Sequence, residues 1–185
     1  MHTKSIQGNA MFEPKPYTTQ RSLADFLRRA FSGSWKGDEL PVPGSRRRWD
    51  MAYLHEGQLV AVEYDGDEHY RHSLKIKADQ EKDAAAQAND IRVVRFPYWI
   101  QLDTDTALYY FGIRQAISTA FPHGFITTRH FPASFCELGL ERFNRELSQL
   151  PVSVRTAVVR SLRDRAEEHG ARFVVPSSLM HLVAA

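Results

Sequence analysis

The chain has 185 residues, 43% of them hydrophobic and 25% charged, and its formal net charge is +2. This size fits one domain, or one domain with a small appendage, and the charge is too small to indicate a nucleic-acid binder by itself. No apolar run reaches the roughly 18 residues of a membrane span, and the start lacks the apolar stretch of a secretory signal. A single cysteine excludes an intramolecular disulfide. We therefore expect a cytoplasmic protein.

Helical and strand patterns alternate along the first half of the chain. Polar residues 1–17 predict a flexible N-terminal arm, and Thr18 or Thr19 then suits the N-cap of a helix. Residues 39–48 contain two prolines, which favours an irregular or edge strand. The elements predicted next are strands at 49–54 and 59–64 joined by a short hairpin loop, a helix at 72–87 that ends at a left-handed Asn89, and a strand at 91–96.

The second half of the chain is predominantly helical in its pattern. Asp103 or Thr104 suits the cap of a helix, and its expected apolar stripe is Tyr109, Ile113, Ala116, Ile117 and Ala120. The later elements are predicted to be a helix at 137–150, a second helix at 152–169 closed by Gly170, and an apolar strand or buried tail at 173–175.

The order of these elements predicts an α/β fold, a mixed β-sheet flanked by helices. We expect residues 18–122 to form this α/β core and residues 123–185 to form a helical annex packed on it.

Three carboxylates converge at one end of the predicted hairpin. Side chains alternate along a strand, so Glu63 and Asp65 point to the same side about 7 Å apart, and Asp50 reaches the same end from the neighbouring strand. Acids this close repel one another, and a hard divalent cation such as Mg²⁺ removes that repulsion. His69 follows the turn at Gly66 and can transfer a proton beside such an ion. The residues therefore indicate a metal-dependent nuclease.

The same residues also have simpler interpretations. Acids on a solvated strand face are common, and residues 65–67 (Asp-Gly-Asp) are a turn sequence as well. The ligand spacing around Gly66 does not fit an EF-hand. A zinc site on His69 and His72 is possible but has no thiol partners and no His-Glu-x-x-His pattern.

Four short motifs occur in order along about residues 18–120. They are RWDM at 48–51, VEYDG at 62–66 followed by His69, DQEKD at 79–83 and VVRF at 93–96. The ordered set resembles the PD-(D/E)XK nuclease superfamily, and within it the branch of small very-short-patch-repair (Vsr-like) endonucleases.

The resemblance implies a restriction-endonuclease-like fold and Mg²⁺- or Mn²⁺-dependent hydrolysis of DNA. It implies that Asp50, Glu63 and Asp65 ligate the metal and that His69 is the nearby proton-transfer group.

The chain departs from the superfamily pattern at one functional position. Asp65 stands where a lysine is expected two residues after the acid Glu63. Lys82 of the following helix can supply the missing cation. The alternative is a solvated lysine paired with Asp79 or Glu81.

Substrate contacts and partners are predicted from charge. Arg46, Arg47 and Arg48 precede the metal-site strand and suit a phosphate backbone, although they also suit an ordinary charged loop. We expect DNA as the partner, no membrane contact, and leave open a homodimer or larger complex, with the annex as dimer contact or target-recognition surface. The alternative function is a non-catalytic DNA-binding or protein-interaction module of a defence or mobile-element system.

Overall fold

The sheet is built around one tight hairpin. In the computed structural model, which describes residues 17–119, 121 and 123–184, strands β2 (Arg48–His55) and β3 (Gln58–Asp65) pair antiparallel. The two turn residues, Glu56 and Gly57, both have positive φ (51° and 84°), the backbone of a turn that matches the twist of the strands. Both strands extend one residue beyond the predicted bounds at each end.

Two further strands complete a mixed four-stranded sheet. The edge strand β1 (Trp35–Pro41) pairs antiparallel with β2, and β4 (Arg92–Pro97) pairs parallel with β3, in the order β1-β2-β3-β4. The predicted edge strand therefore exists, but it begins before residue 39 and ends before the loop that leads to β2. The predicted arm at residues 1–17 lies outside the described residues except for Tyr17.

Helices flank this sheet and fill the C-terminal part of the chain. Thr19 caps the first helix through a reciprocal capping box with Ser22. The helices of the described residues are α1 (Gln20–Ala30), α2 (Glu68–Arg71), α3 (Ser73–Ala88), α4 (Thr104–Phe111), α5 (Glu137–Gln149), α6 (Val152–His169), α7 (Ala171–Val174) and α8 (Met180–Val183). None of them combines the length and the hydrophobicity needed to cross a membrane.

The two faces of the sheet differ in character. One face contributes Met51 and Val62 to the main hydrophobic core with Leu23 of α1. The other face has a small apolar cluster that includes Ala61 of β3 and Ala86 of α3. Because side chains alternate along β3, the next two residues on this second face are the acids at 63 and 65, so the α3 face changes from apolar to charged along one strand.

The C-terminal helices share the main core with the sheet. Phe143, Leu162 and Val174 belong to the same buried cluster as the residues of α1. Helix α5 approaches α2 closely at Gly139, where an added Cβ would lie 1.8 Å from the carbonyl oxygen of Tyr70. Only glycine permits this approach, which brings the next turn of α5 towards the end of β3.

Three local predictions are wrong. Helix α4 ends at Phe111 because Gly112 takes a left-handed conformation (φ 69°), so the predicted stripe beyond it is not helical, and Ala120 lies outside the described residues. Asn89 is not left-handed (φ −116°); Asp90 is, with φ 54°. The strand predicted at 173–175 is wrong, because this segment ends the short helix α7; the alternative of a buried tail holds for Val174 and Val175.

Candidate functional site

Asp50 is fixed at the point where the pairing of β2 with β3 ends. The last paired residues are Met51 and Val62, and one residue further the Asp50 carboxylate accepts a hydrogen bond from the backbone N–H of Tyr64 at 2.8 Å. The half-buried side chain thus replaces a backbone partner of β3 and is held beside Glu63.

Glu63 is 3% exposed, and its Oε1 accepts a short hydrogen bond from Nζ of Lys82 on α3. Burial and the neighbouring charge of Asp50 raise the pKa of Glu63 to about 7, against the attraction of Lys82. Burial and Asp65 likewise raise the pKa of Asp50. We call Asp50 and Glu63 the carboxylate pair. The ammonium of Lys82 is the cation that contacts this pair of acids.

Lys82 is therefore not a solvated helix lysine. It is 8% exposed and reaches across to β3, while Glu81 pairs with Arg47 at 2.6 Å and Asp79 faces a different set of partners. The alternative pairing within α3 is wrong, and the predicted cation does stand beside Glu63.

Asp65 has the opposite environment, although it is only two residues further along β3. Its Oδ1 lies 3.0 Å from Arg95 of β4, and its Oδ2 accepts a short hydrogen bond from Arg142 of α5. Complete burial would raise the pKa of Asp65, but Arg95 and Arg142 outweigh burial and lower the pKa to about 2. The carboxylate is therefore ionised and already neutralised.

His69 and Asp79 complete this second group. His69 Nδ1 lies 2.6 Å from Asp79 Oδ2 and 3.0 Å from Asp65 Oδ1, and Arg142 contacts the same Asp79 oxygen at 3.0 Å. Asp65, His69 and Asp79 each offer a ligand atom within 4.8 Å of the others. We call these three residues with Arg95 and Arg142 the arginine cluster.

A basic cleft of about 400 Å³ reaches Lys82, the partner of Glu63, whereas Asp50 lines a separate cleft with residues of α1 and β1. The cationic lining of the basic cleft comes from the loop before β2, the first residue of β2 and α3: Arg46, Arg47, Arg48, Lys75 and Lys82. Two acids, Glu39 and Asp79, also line it. Arg47 and Arg48 are tethered to backbone carbonyls of Ala78 and Glu39, each at 2.8 Å. Arg46 and Arg48 are exposed, and Arg47 is half-buried. The three predicted arginines thus line one cleft, and Lys82 is common to the cleft and the carboxylate pair.

The three predicted metal ligands, Asp50, Glu63 and Asp65, do not share one electrostatic environment. The raised pKa values of Asp50 and Glu63 mean that their cationic neighbours do not fully stabilise the ionised carboxylates. Carboxylate oxygens are the ligands that Mg²⁺ prefers, so Asp50 and Glu63 fit a divalent cation. Mg²⁺ commonly uses only one or two carboxylates with water and substrate oxygens. Asp65 does not fit this role as well, because guanidinium groups contact both of its oxygens.

The predicted site residues did not include Asp79, Arg95 and Arg142, although Asp79 and Arg95 stand in the motifs at 79–83 and 93–96. Asp79 and Lys82 are three residues apart and share a helix face, which is a usable signal. Arg142 is 77 residues from Asp65, and nothing in the pattern of α5 distinguishes it from a solvated arginine. Comparisons of the chain with family models, curated proteins and solved structures find no match, so the chemistry of this site rests on its own residues.

Proposed function

We propose that this chain is a metal-dependent endonuclease that hydrolyses DNA phosphodiester bonds. The observation that carries the proposal is the position of Lys82, which ion-pairs with Glu63 and also lines the basic cleft. A phosphate bound in this cleft would lie against Lys82, which also contacts Glu63 of the carboxylate pair. We propose that an anionic substrate and a divalent cation meet on the two sides of this lysine.

Asp50 and Glu63 are the residues that would hold Mg²⁺ or Mn²⁺. When bound, such an ion polarises a phosphoryl oxygen and lowers the pKa of a coordinated water. Lys82 places a buried ammonium beside the same carboxylates, where it stabilises negative charge that develops on a phosphoryl oxygen.

His69 is proposed to transfer the proton. Its Nδ1 contacts Asp79 and Asp65, which fixes the ring and leaves Nε2 as the nitrogen for exchange with water or a leaving oxygen. Asp79 would orient His69 in this role.

Arg46, Arg47 and Arg48 are proposed to bind backbone phosphates. Guanidinium groups recognise phosphate through charge and paired hydrogen bonds, and such contacts are independent of base sequence. Tethering of Arg47 and Arg48 to the backbone presents a partly ordered cationic surface.

The order of elements also supports the family that the motifs resemble. From α1 to β4 the chain runs helix, three antiparallel strands, helix and a parallel strand, with the short α2 before α3. This is the order expected of a restriction-endonuclease-like core, and it supports membership of the PD-(D/E)XK superfamily as a proposal.

The decisive experiment is a cleavage assay with a matched variant. Purified protein is incubated with plasmid, linear duplex, single-stranded DNA and RNA in Mg²⁺, Mn²⁺ or EDTA. We expect DNA cleavage that needs the metal and is lost in Asp50→Ala but kept in Asp38→Ala, because Asp38 is an exposed acid of β1 paired with Arg28. Absence of cleavage with every substrate, or equal cleavage by Asp50→Ala, would reject the proposal.

One observation favours a second candidate, a nuclease fold kept as a non-catalytic DNA-binding or protein-interaction module. Arg95 and Arg142 satisfy Asp65, and Lys82 pairs with Glu63, so part of the acidic site is stabilised without a metal. Such a module would bind DNA or its partner in EDTA and after loss of Glu63. Mn²⁺ should raise the melting temperature of a nuclease but not of the module.

A further inference from the structure

The arginine cluster has the shape of a metal site that already contains a cation. Arg142 reaches Oδ2 of Asp65 with one terminal nitrogen and Oδ2 of Asp79 with the other. His69 Nδ1 lies 3.0 and 2.6 Å from oxygens of the same two carboxylates. Two carboxylates and an imidazole within 4.8 Å of one another could surround a divalent ion, and the guanidinium lies among them.

Arg142 lies in a region where carboxylates outnumber guanidinium groups. Four carboxylates contact the two guanidiniums of the cluster: Asp65, Asp79, Asp83 and Glu146. Four carboxylates thus share two guanidiniums, and removal of Arg142 would leave the same four carboxylates with one guanidinium.

We propose that the Arg142 guanidinium occupies the place of a second divalent cation. This inference rests on the proposed function in one respect, since it assigns the nuclease a single metal ion, at the carboxylate pair. It also gives the C-terminal annex a role in the site, because Arg142 lies on α5, outside the region that the nuclease motifs cover.

The packing of Arg142 explains how a side chain can take this place permanently. Its side chain is 5% exposed, its guanidinium lies 4.8 Å from the centre of the Tyr70 ring, and its Nε donates to Glu146 at 2.7 Å. The planar group offers a fixed pair of donors to two carboxylates, which a flexible ammonium does not. A metal could enter only by displacing Arg142, which is buried and contacts three carboxylates and the Tyr70 ring.

The test is whether removal of Arg142 creates a metal site in the full-length protein. Mn²⁺ stoichiometry is measured by electron paramagnetic resonance, and pulsed measurements report whether a histidine nitrogen ligates the ion. The variants are Arg142→Gln, Arg142→Lys and the control Arg145→Gln, whose guanidinium lies on the exposed side of the same helix.

We expect one ion without histidine nitrogen in the wild type, in Arg145→Gln and in Arg142→Lys, which keeps the charge. Arg142→Gln should bind one additional ion with a histidine nitrogen signal, and adding His69→Gln should remove that signal. A folded Arg142→Gln that binds no more Mn²⁺ than the wild type would overturn the inference.

The wild type gives a second test that does not depend on the folding of any arginine variant. A histidine signal from its bound Mn²⁺ that is lost in His69→Gln would also overturn the inference. Failure of the nuclease proposal has a different signature: the wild type would bind no Mn²⁺ and cut no DNA, while the additional ion in Arg142→Gln would still appear.

Discussion

The carboxylate pair and the arginine cluster lie side by side on the same face of the sheet. Both contain buried carboxylates, but the cations that contact these carboxylates differ. Glu63 has a pKa raised to about 7 by burial and by Asp50, whereas Arg95 and Arg142 lower the pKa of Asp65 to about 2 despite complete burial. The pKa values of two acids separated by one residue on β3 are therefore shifted in opposite directions.

The difference teaches that the local strand pattern does not decide the chemistry of an acid. Both side chains follow the alternation of β3, but Glu63 meets one lysine of α3 and Asp65 meets arginines from β4 and α5. The first arrangement retains negative charge for an added cation, and the second stabilises the native structure. Each of the following variants changes one side of this comparison.

The largest expected effect is on stability, in Arg142→Ala. Removing one partner of a buried ion pair leaves Asp65 and Asp79 with an uncompensated charge, which costs about 3–5 kcal/mol of unfolding free energy. Arg145→Ala, an exposed substitution on the same helix, should change it by less than about 0.5 kcal/mol. Chemical denaturation of both variants measures the difference, and similar losses would mean that the cluster is not what stabilises this end of the sheet.

Lys82→Met should affect catalysis far more than metal binding. The carboxylate pair keeps both of its acids and loses a competing cation, so Mn²⁺ affinity should be unchanged or higher. Loss of the ammonium beside the scissile phosphate should reduce cleavage about 100-fold or more. Lys77→Met, an exposed lysine of the same helix, is the control. A parallel loss of Mn²⁺ affinity would instead make Lys82 a structural support of the site.

The pH dependence of stability should have opposite signs at the two acids. For Glu63 the folded pKa of about 7 exceeds the ordinary 4.5, so in EDTA its contribution to stability falls as pH rises from 4.5 to 7. For Asp65 the folded pKa of about 2 is below the ordinary 3.8, so its contribution is full above 3.8 and is lost as pH falls towards 2.

These slopes are measured as differences from Glu63→Gln and Asp65→Asn in metal-free buffer. We expect the Glu63 difference to be on the order of 1–3 kcal/mol across its window. Slopes of the same sign at both positions would contradict the distinction between the pair and the cluster.

The smallest expected effect is at the basic cleft. Arg46 is an exposed cation of the cleft, so Arg46→Gln should weaken DNA binding to a similar extent for all DNA sequences. The same variant should lower the dependence of DNA affinity on salt concentration by about one released counterion. Arg92→Gln, an exposed arginine of β4 outside the cleft, should leave both quantities unchanged. Equal effects of the two variants would mean that DNA binding is not confined to the cleft.

Much of the sheet could be predicted because its signals are local. Strand alternation and the Gly57 turn give β2 and β3 to within one residue, and they bring Asp50 beside Glu63. The end of α4 was missed because Gly112 adopts a left-handed conformation inside an apolar pattern that continues beyond it.

The arginine cluster could not be predicted in the same way. Arg142 reaches Asp65 only because α5 crosses the Tyr70 backbone at Gly139, a tertiary contact with no periodic signature. The sequence pattern therefore identifies the acids of this end of the sheet but not the partners that decide which of them is free to bind a metal.

The close crossing at Gly139 has a consequence for biosynthesis. Every acid of the carboxylate pair and the arginine cluster leaves the ribosome before residue 142, so the nascent sheet has its full negative charge before its second guanidinium arrives. Docking of α5 is then the event that brings Arg142 to Asp65 and Asp79, and a larger residue at 139 would delay or prevent it. Formation of the site thus depends on a residue 77 positions after Asp65.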